Sequence, residues 1–406
     1  MASENSSVAL PPSGGKGFLH LAETLVEDRA LLKWFGITRV GDVTDLDVIG
    51  VPVWFAVRPN SRGLSVSQGK GLTSRQAKLS AVMEAIEGAV AEDTQRHVCA
   101  HGSLLAMQQQ SKQLVPLENL SRVNPGEIDP RRERAWVEGY SVRTASPALA
   151  PYELVGMDFR ADFPWDRHVF QMSSQGLAAG FDHDRATLHA LLELIEHDAC
   201  FAIGAFETRQ LDMRSISFSN GISEPFDRLW SQVTEAGFVP RFFNMSSSNG
   251  IPVILAALPR EITAKGGPGL RIAAGAACRL DIYEAATAAL LEAVQSRLTD
   301  ISGARDDLSV SRYDLDHTAG SWKDAPTITV TGPSSVAQIN AGRDEPLWRQ
   351  VAEHLFTAGV DDIYVFSLDS GVPGISVVRV LAGGLAAAGP GWNQFSATAL
   401  DSFLKR

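Results

Sequence analysis

The chain is poor in the features that would mark several common protein classes. Its three cysteines, Cys99, Cys200 and Cys278, are odd in number, far apart and form no C-x-x-C pair. That excludes a disulfide framework and a cysteine-based zinc site and fits a reducing, cytoplasmic compartment. Long apolar runs are missing: Ile251–Leu258 and Ile375–Leu385 are short and interrupted, whereas a membrane span needs about 20 apolar residues. Basic excess is missing too, with 36 Lys+Arg against 47 Asp+Glu and a formal charge of −11, which argues against a broad nucleic-acid surface. Trp and Phe form no stripe suited to stacking bases. The first 16 residues are rich in Ser, Pro and Gly and lack a basic segment followed by an apolar core. They are expected to form a disordered arm over 1–16, not a signal peptide, with 17–406 as one domain.

What is present is ordinary globular material: 406 residues, 45% hydrophobic and 20% charged, enough for a large core. The pattern predicts an α/β fold. Val51–Val57 alternates like a strand. Leu64–Ser67 reads as a short strand running into a glycine loop, Gln68-Gly69-Lys70-Gly71. Long helices are predicted near 74–92, 184–206 and 281–299, each after a small-residue, Gly-containing loop; further helices fall at Glu224–Ala236 and Pro346–Ala358. Pro252–Leu258, Asp362–Leu368 and Ile375–Leu381 read as strands.

The three long helices repeat one pattern. Ala77, Ala81, Glu84 and Glu87 recur as Ala186, Ala190, Glu193 and Glu196, and again as Ala285, Ala289, Glu292 and Gln295. Residues three and four apart share a helix face, so Ser80, Glu84 and Glu87 make one polar stripe. The rest of that helix, with Leu79, Val82, Met83 and Ile86, is apolar over most of its circumference, the mark of a buried helix. Carboxylates on such a helix are costly unless paired, protonated or bound to metal. A solvated stripe would explain one E-x-x-E, but three aligned copies point to helices that converge and share cations. Oxygen ligands without His/Cys clusters favour Mg2+ over zinc, and Mg2+ lined by carboxylates commonly carries substrate phosphates.

Lys70 and the neighbouring glycines offer a phosphate contact. This is not a Walker A loop, since Leu64 stands five residues before Gly69 and Gly71 replaces the Ser/Thr. Gln295-Ser296-Arg297 and Arg305-Asp306-Asp307 supply further cations. His183 and His197 read as surface or satisfied histidines and Cys200 as core.

These stretches resemble the YcaO family. The resemblance is carried by Ser67–Glu87 (SQGKGLTSRQAKLSAVMEAIE), Ser174–Ala199 (SQGLAAGFDHDRATLHALLELIEHDA) and Gly275–Asp307, and extends over about residues 20–385. The segment from Gly36 is most similar to members found beside TfuA proteins. The resemblance implies a YcaO-like fold of three related helix–sheet units around a central ATP/Mg2+ site. It implies an ATP-dependent enzyme that phosphorylates a peptide amide oxygen, after which a nucleophile attacks the amide carbon. A Cys, Ser or Thr side chain then gives an azoline; sulfide delivered by a TfuA-like partner gives a thioamide. The substrate would be a ribosomally made precursor peptide, and the enzyme a homodimer. By position, Glu84, Glu87, Glu193 and Glu196 are assigned to metal, and Lys70, Ser80, Gln175, Glu292, Gln295 and Arg297 to the nucleotide. No residue is assigned to the chemical step itself. Gly88 and His197 stand where the family often has Arg, Gln175 where Asn is common, and Phe181 and Arg185 in a stretch usually more polar or acidic. The C-terminal GPGWNQFSATALDSFLKR lacks a proline-rich PxPxP end, which tilts the expectation from azoline formation towards thioamidation. A non-catalytic member that presents a peptide is the alternative that Gly88, His197 and Arg185 would favour.

Overall fold

The computed structural model describes residues 24–204, 214–264, 267–308, 327–332, 336, 339, 342 and 344–386. The arm expected over 1–16, the last two residues of the second predicted helix and the C-terminal GPGWNQFSATALDSFLKR lie outside them. In chain order, β1 (Arg39–Asp42), β2 (Val53–Val57) and β3 (Val66–Lys70) precede α1 (Ser74–Ala91). Next come β4 (Val98–Ser103), β5 (Glu133–Ser141), β6 (Pro147–Pro151), β7 (Leu177–Gly180) and α2 (His183–Gly204). Then follow β8 (Ser215–Phe218), α3 (Glu224–Glu235), β9 (Arg241–Asn244), β10 (Val253–Ala264), β11 (Gly267–Cys278) and α4 (Ile282–Ser302). The last elements are β12 (Ile328–Val330), α5 (Leu347–Thr357), β13 (Ile363–Leu368) and β14 (Ser376–Ala382). The expected α/β class is the one observed.

The strands form three sheets, ordered β1-β2-β3, β11-β10-β9-β8-β12 and β4-β5-β13-β14-β7, with β6 paired to β5. Each sheet has an edge strand that leads directly into one of the motif helices: β3 into α1, β7 into α2 and β11 into α4. Local chemistry starts these helices. Thr73 and Gln76 make a reciprocal capping box at α1, and Asp281 accepts hydrogen bonds from the Tyr283 and Glu284 amides at α4, satisfying amides that lack helical partners.

Each motif helix anchors its own core. Ala81, Val82, Ala85 and Ile86 of α1 pack with Phe366 and Val377. Ala186, Ala190 and Ile195 of α2 pack with Val365, Val378 and Val380. Ala285, Ala289 and Leu290 of α4 pack with Phe242 and Ile254. Alternation along β13 and β14 therefore sends Phe366 and Val377 to α1 and Val365, Val378 and Val380 to α2, so the sheet is covered on both faces. That explains the nearly continuous apolar runs there.

The loops expected before the motif helices are largely strand. Gln68, Gly69 and Lys70 belong to β3 and the stretch from Gly267 to Gly275 to β11. The glycines are present for close packing, not for a turn. A Cβ on Gly69 would lie 2.0 Å from the Ala81 nitrogen, and one on Gly275 2.4 Å from the Ala293 nitrogen. Only glycine lets strand and helix backbones approach so closely.

Candidate functional site

The alanines and acids of the repeated motif face different ways. Ala77, Ala81, Ala186, Ala190, Ala285 and Ala289 are fully buried, so A-x3-A is a packing stripe. The acids three residues on are accessible: Glu84 is exposed, and Glu87, Glu193, Glu196 and Glu292 are half-buried. Ser80 is half-buried too, with its backbone against Gly69.

Each motif helix packs not only on its own strand but on the edge strand of another sheet: α1 on β7, α2 on β11 and α4 on β3. Polar contacts mark these junctions. The Ala179 amide donates to Glu87 Oε1 at 2.8 Å, and the Cys278 amide donates to Glu196 Oε2 at 3.1 Å. At the third junction the Thr299 hydroxyl donates to Gln68 Oε1. Here Gln295 takes the place of the second acid; its Oε1 and the Gln68 Nε2 are buried without a hydrogen-bond partner. Buried polar groups are normally bonded, so this junction keeps one donor and one acceptor for something else.

Electrostatics tie the acids together. Glu84 touches solvent in a cleft, yet enclosure by protein raises its pKa to about 7, against the lowering pull of Lys70, Arg305 and the Gln68 backbone. Burial pushes Glu87 well above the ordinary range, helped by Glu84 and Glu193 and opposed by the Ala179 amide and Arg379. Glu196 rises to about 8, through burial and then the charge of Glu292. Burial is the first cause at all three acids, so the enclosed site disfavours their charged forms even with cations at hand. Lys70 pairs with Glu292 at 3.0 Å, so two residues assigned to the nucleotide meet from β3 and α4. His197 lies 3.5 Å from Glu193; burial lowers its pKa, but the Glu193 hydrogen bond and the charges of Glu193, Glu196 and Glu292 outweigh this and raise it.

Two buried guanidiniums went unpredicted. Arg379 on β14 is fully buried and donates to the carbonyls of Val155 at 3.0 Å and Gln175 at 2.6 Å. Arg122 donates to the Leu154 carbonyl at 2.7 Å and that of Gln171 at 3.3 Å. Burial lowers both pKa values, that of Arg122 to about 10; Arg122 lowers that of Arg379 further, while Glu193 opposes the shift at both. Arg379 also senses Glu87. The sequence signal was an arginine inside an apolar strand, SVVRVLA. The Gln175 carbonyl thus helps hold Arg379.

The departures at positions 88 and 197 are not gaps in charge. Arg58 lies across Gly88: a Cβ there would be 2.9 Å from Arg58 Nη1. His197 itself sits on Glu193. Arg185 is exposed and pairs with Asp182 at 3.3 Å. Arg297, assigned to the nucleotide, is placed elsewhere. Its Nε and Nη2 donate to Asp47 at 2.7 and 2.9 Å, and its guanidinium lies over Phe238.

A cleft of about 700 Å³ opens beside the first acid pair, lined by Glu84, Glu87, Gly88, Arg58 and Arg305 among others. Among the described residues, no three His, Cys, Asp or Glu side chains come together to hold a metal ion. The acids therefore form no closed metal cage. Oxygen donors supplied one or two at a time suit Mg2+, which keeps water and phosphate oxygens in its shell; the crowded, partly protonated acids and the two unmet amide groups fit such a ligand.

Cleft, acids and cations form the candidate site, and comparison with known proteins gives the class of the chain. The model described as YcaO cyclodehydratase, ATP- and Mg2+-binding, matches residues 68–386, so the chain belongs to the YcaO family, and its cofactors are ATP and Mg2+. A protein of Rhizobium leguminosarum bv. trifolii, described as lying in the tfuA 3' region, is 34% identical over 370 residues, 90% of this chain and 87% of that one. The structure of YcaO from Methanopyrus kandleri bound with AMPPCP and Mg2+ superposes with a TM-score of 0.63 at 19% identity, over 93% of this chain and 96% of that one. A heterocyclase in complex with substrate and cofactor gives a TM-score of 0.68 at 18% identity, over 99% of this chain and 57% of that chain. This chain therefore spans little more than half of that heterocyclase. No helix among the described residues is long and apolar enough to cross a membrane.

Proposed function

We propose that this protein activates a backbone amide of a ribosomally made peptide at the expense of ATP and converts it to a thioamide with sulfide from a TfuA-like partner. Bound Mg2+–ATP supplies the phosphoryl group that turns the amide oxygen into a phosphate leaving group. The residues of this chain bind and orient. Glu84, Glu87, Glu193 and Glu196 hold the cations, each acid pair contributing part of a shell. Lys70, drawn towards the centre by Glu292, meets phosphate oxygens, and Gln68 Nε2 and Gln295 Oε1 meet polar groups of the nucleotide. Ser80 lies on the polar stripe of α1, one turn before Glu84. Arg379 and Arg122 offset the acids from the protein side when no cation is bound.

The observation that carries this reading is the set of acids at the helix–strand junctions, facing the site yet with pKa values raised first by burial. The tfuA-region relative supports sulfide as nucleophile. Azoline formation is the second reading, favoured by the cyclodehydratase description of the family. The peptide-presenting reading is weakened at position 88, where Arg58 supplies a cation; His197 and Arg185 are the features that still favour it.

Incubating the protein with ATP, Mg2+, sulfide, a TfuA-like protein and candidate peptides tests this. The expected product has one oxygen exchanged for sulfur, with phosphate carrying the amide oxygen. Loss of one water without sulfur would move the assignment to azoline formation. No modification, with no ATP turnover, would overturn both.

A further inference from the structure

We propose that Arg58 contacts the phosphoryl group transferred in this cleft, that Glu92 positions it, and that Gly88 keeps its path open; this rests on the nucleotide reading above. Arg58 follows the last residue of β2, and its side chain is turned inward, 8% exposed. Its orientation is fixed at three atoms: Nε donates to the Phe35 carbonyl at 3.1 Å, and Nη2 and Nη1 donate to the two Glu92 oxygens at 2.6 and 3.4 Å. A guanidinium carries five N–H groups, so one on each terminal nitrogen remains for a ligand. Nη1 is the atom that stands 2.9 Å from the absent Cβ of residue 88. Gly88 directly follows Glu87, and both line the 700 Å³ cleft together with Glu84 and Arg58.

The ligand class follows from what shares the cleft. Acids suited to Mg2+ and a fixed guanidinium fork together match a phosphate dianion, which takes metal on some oxygens and paired N–H donors on others. Met157, Phe159 and Met172 line the same cleft, apolar surface of use to an acceptor chain and of none to a nucleotide phosphate. A phosphoryl group at Arg58 is thus within one cavity with metal-type acids and acceptor surface. The glycine supports this independently. Position 88 is inside α1, where alanine is the better helix former, yet alanine would press on the guanidinium.

The test is calorimetric binding of Mg2+–AMPPCP and Mg2+–ADP to the full chain and to Arg58→Met, Arg58→Lys and Gly88→Ala. The charge-assisted contact predicts that Arg58→Met and Gly88→Ala weaken AMPPCP by about tenfold or more, and ADP by less than about twofold. Arg58→Lys should recover part of the loss, and Gly88→Ala should melt no lower than wild type. Equal weakening of both nucleotides, or unchanged AMPPCP affinity, overturns the proposal. Failure of the wild-type protein to bind either nucleotide overturns the nucleotide reading itself, and this proposal with it.

Discussion

The two E-x-x-E pairs are alike in sequence and unlike in their surroundings. Glu84 and Glu87 on α1 are offset by Lys70, Arg305 and Arg379, all from other elements. Glu196 on α2 is offset by His197 of its own helix and by the Cys278 amide, and it faces the further negative charge of Glu292. The first pair is thus balanced by lysine and arginine side chains brought from other elements, the second by a histidine of its own helix. The comparison teaches that a repeated motif fixes where acids stand, while the elements packed around it decide how strongly each copy demands a cation.

The largest test of that contrast removes one acid from each pair. Glu84→Gln and Glu196→Gln are each expected to lower peptide-dependent ATP turnover by about 10²–10³-fold without lowering Tm, since each removes a carboxylate whose charged form the fold disfavours. If one variant keeps wild-type turnover, only the other pair holds a cation needed for the reaction. Arg297→Met tests the separation of structural from binding cations. It leaves Asp47, whose side chain is 3% exposed, without its partner, and should cost about 3 kcal/mol in urea denaturation while nucleotide affinity stays within about twofold of wild type.

Proton linkage comes next in size. Glu84 near 7 and Glu196 near 8 hold protons that compete with metal, so Mg2+–AMPPCP affinity should rise from pH 6 to pH 8, by about tenfold. Glu196→Gln should flatten the upper part of that rise. The same acids are protonated in the native state where the unfolded chain has released its protons. Metal-free stability should therefore fall as pH rises from about 4.5 to about 8, which thermal melts in EDTA would show. A metal-free protein that gains stability over that window would contradict the assigned shifts. The smallest effect is expected for His197→Gln. Loss of a cation beside Glu196 should move the upper pH step higher and weaken binding at pH 7 by about two- to threefold, readable by the same calorimetry.

Much of this was legible in the sequence for one reason: spacing. Helical periodicity placed Glu84 with Glu87 and Glu193 with Glu196, and located α1, α2 and α4 to within a few residues. Lys70 and Glu292 were singled out separately, and they pair. The errors are equally physical. Glycine in Gln68-Gly69-Lys70 signalled a loop because glycine favours turns, whereas here it lets β3 lie against α1. Arg297 was assigned through its match to the family's third motif; five residues along a helix is a rotation of about 140° from Glu292, and its guanidinium lies on Asp47. Arg58 and Arg122 come from remote segments, and no local pattern links either to a motif helix. Arg379 alone left a trace, a charge in a strand that otherwise reads as core.

The most direct test of the central claim, that the acids of the motif helices hold a magnesium nucleotide, is calorimetric titration of AMPPCP with and without Mg2+, on the wild-type protein and on Glu84→Gln side by side. Roughly micromolar binding is predicted, abolished by EDTA and lost in the variant. Binding that is indifferent both to Mg2+ and to the loss of Glu84 would contradict it.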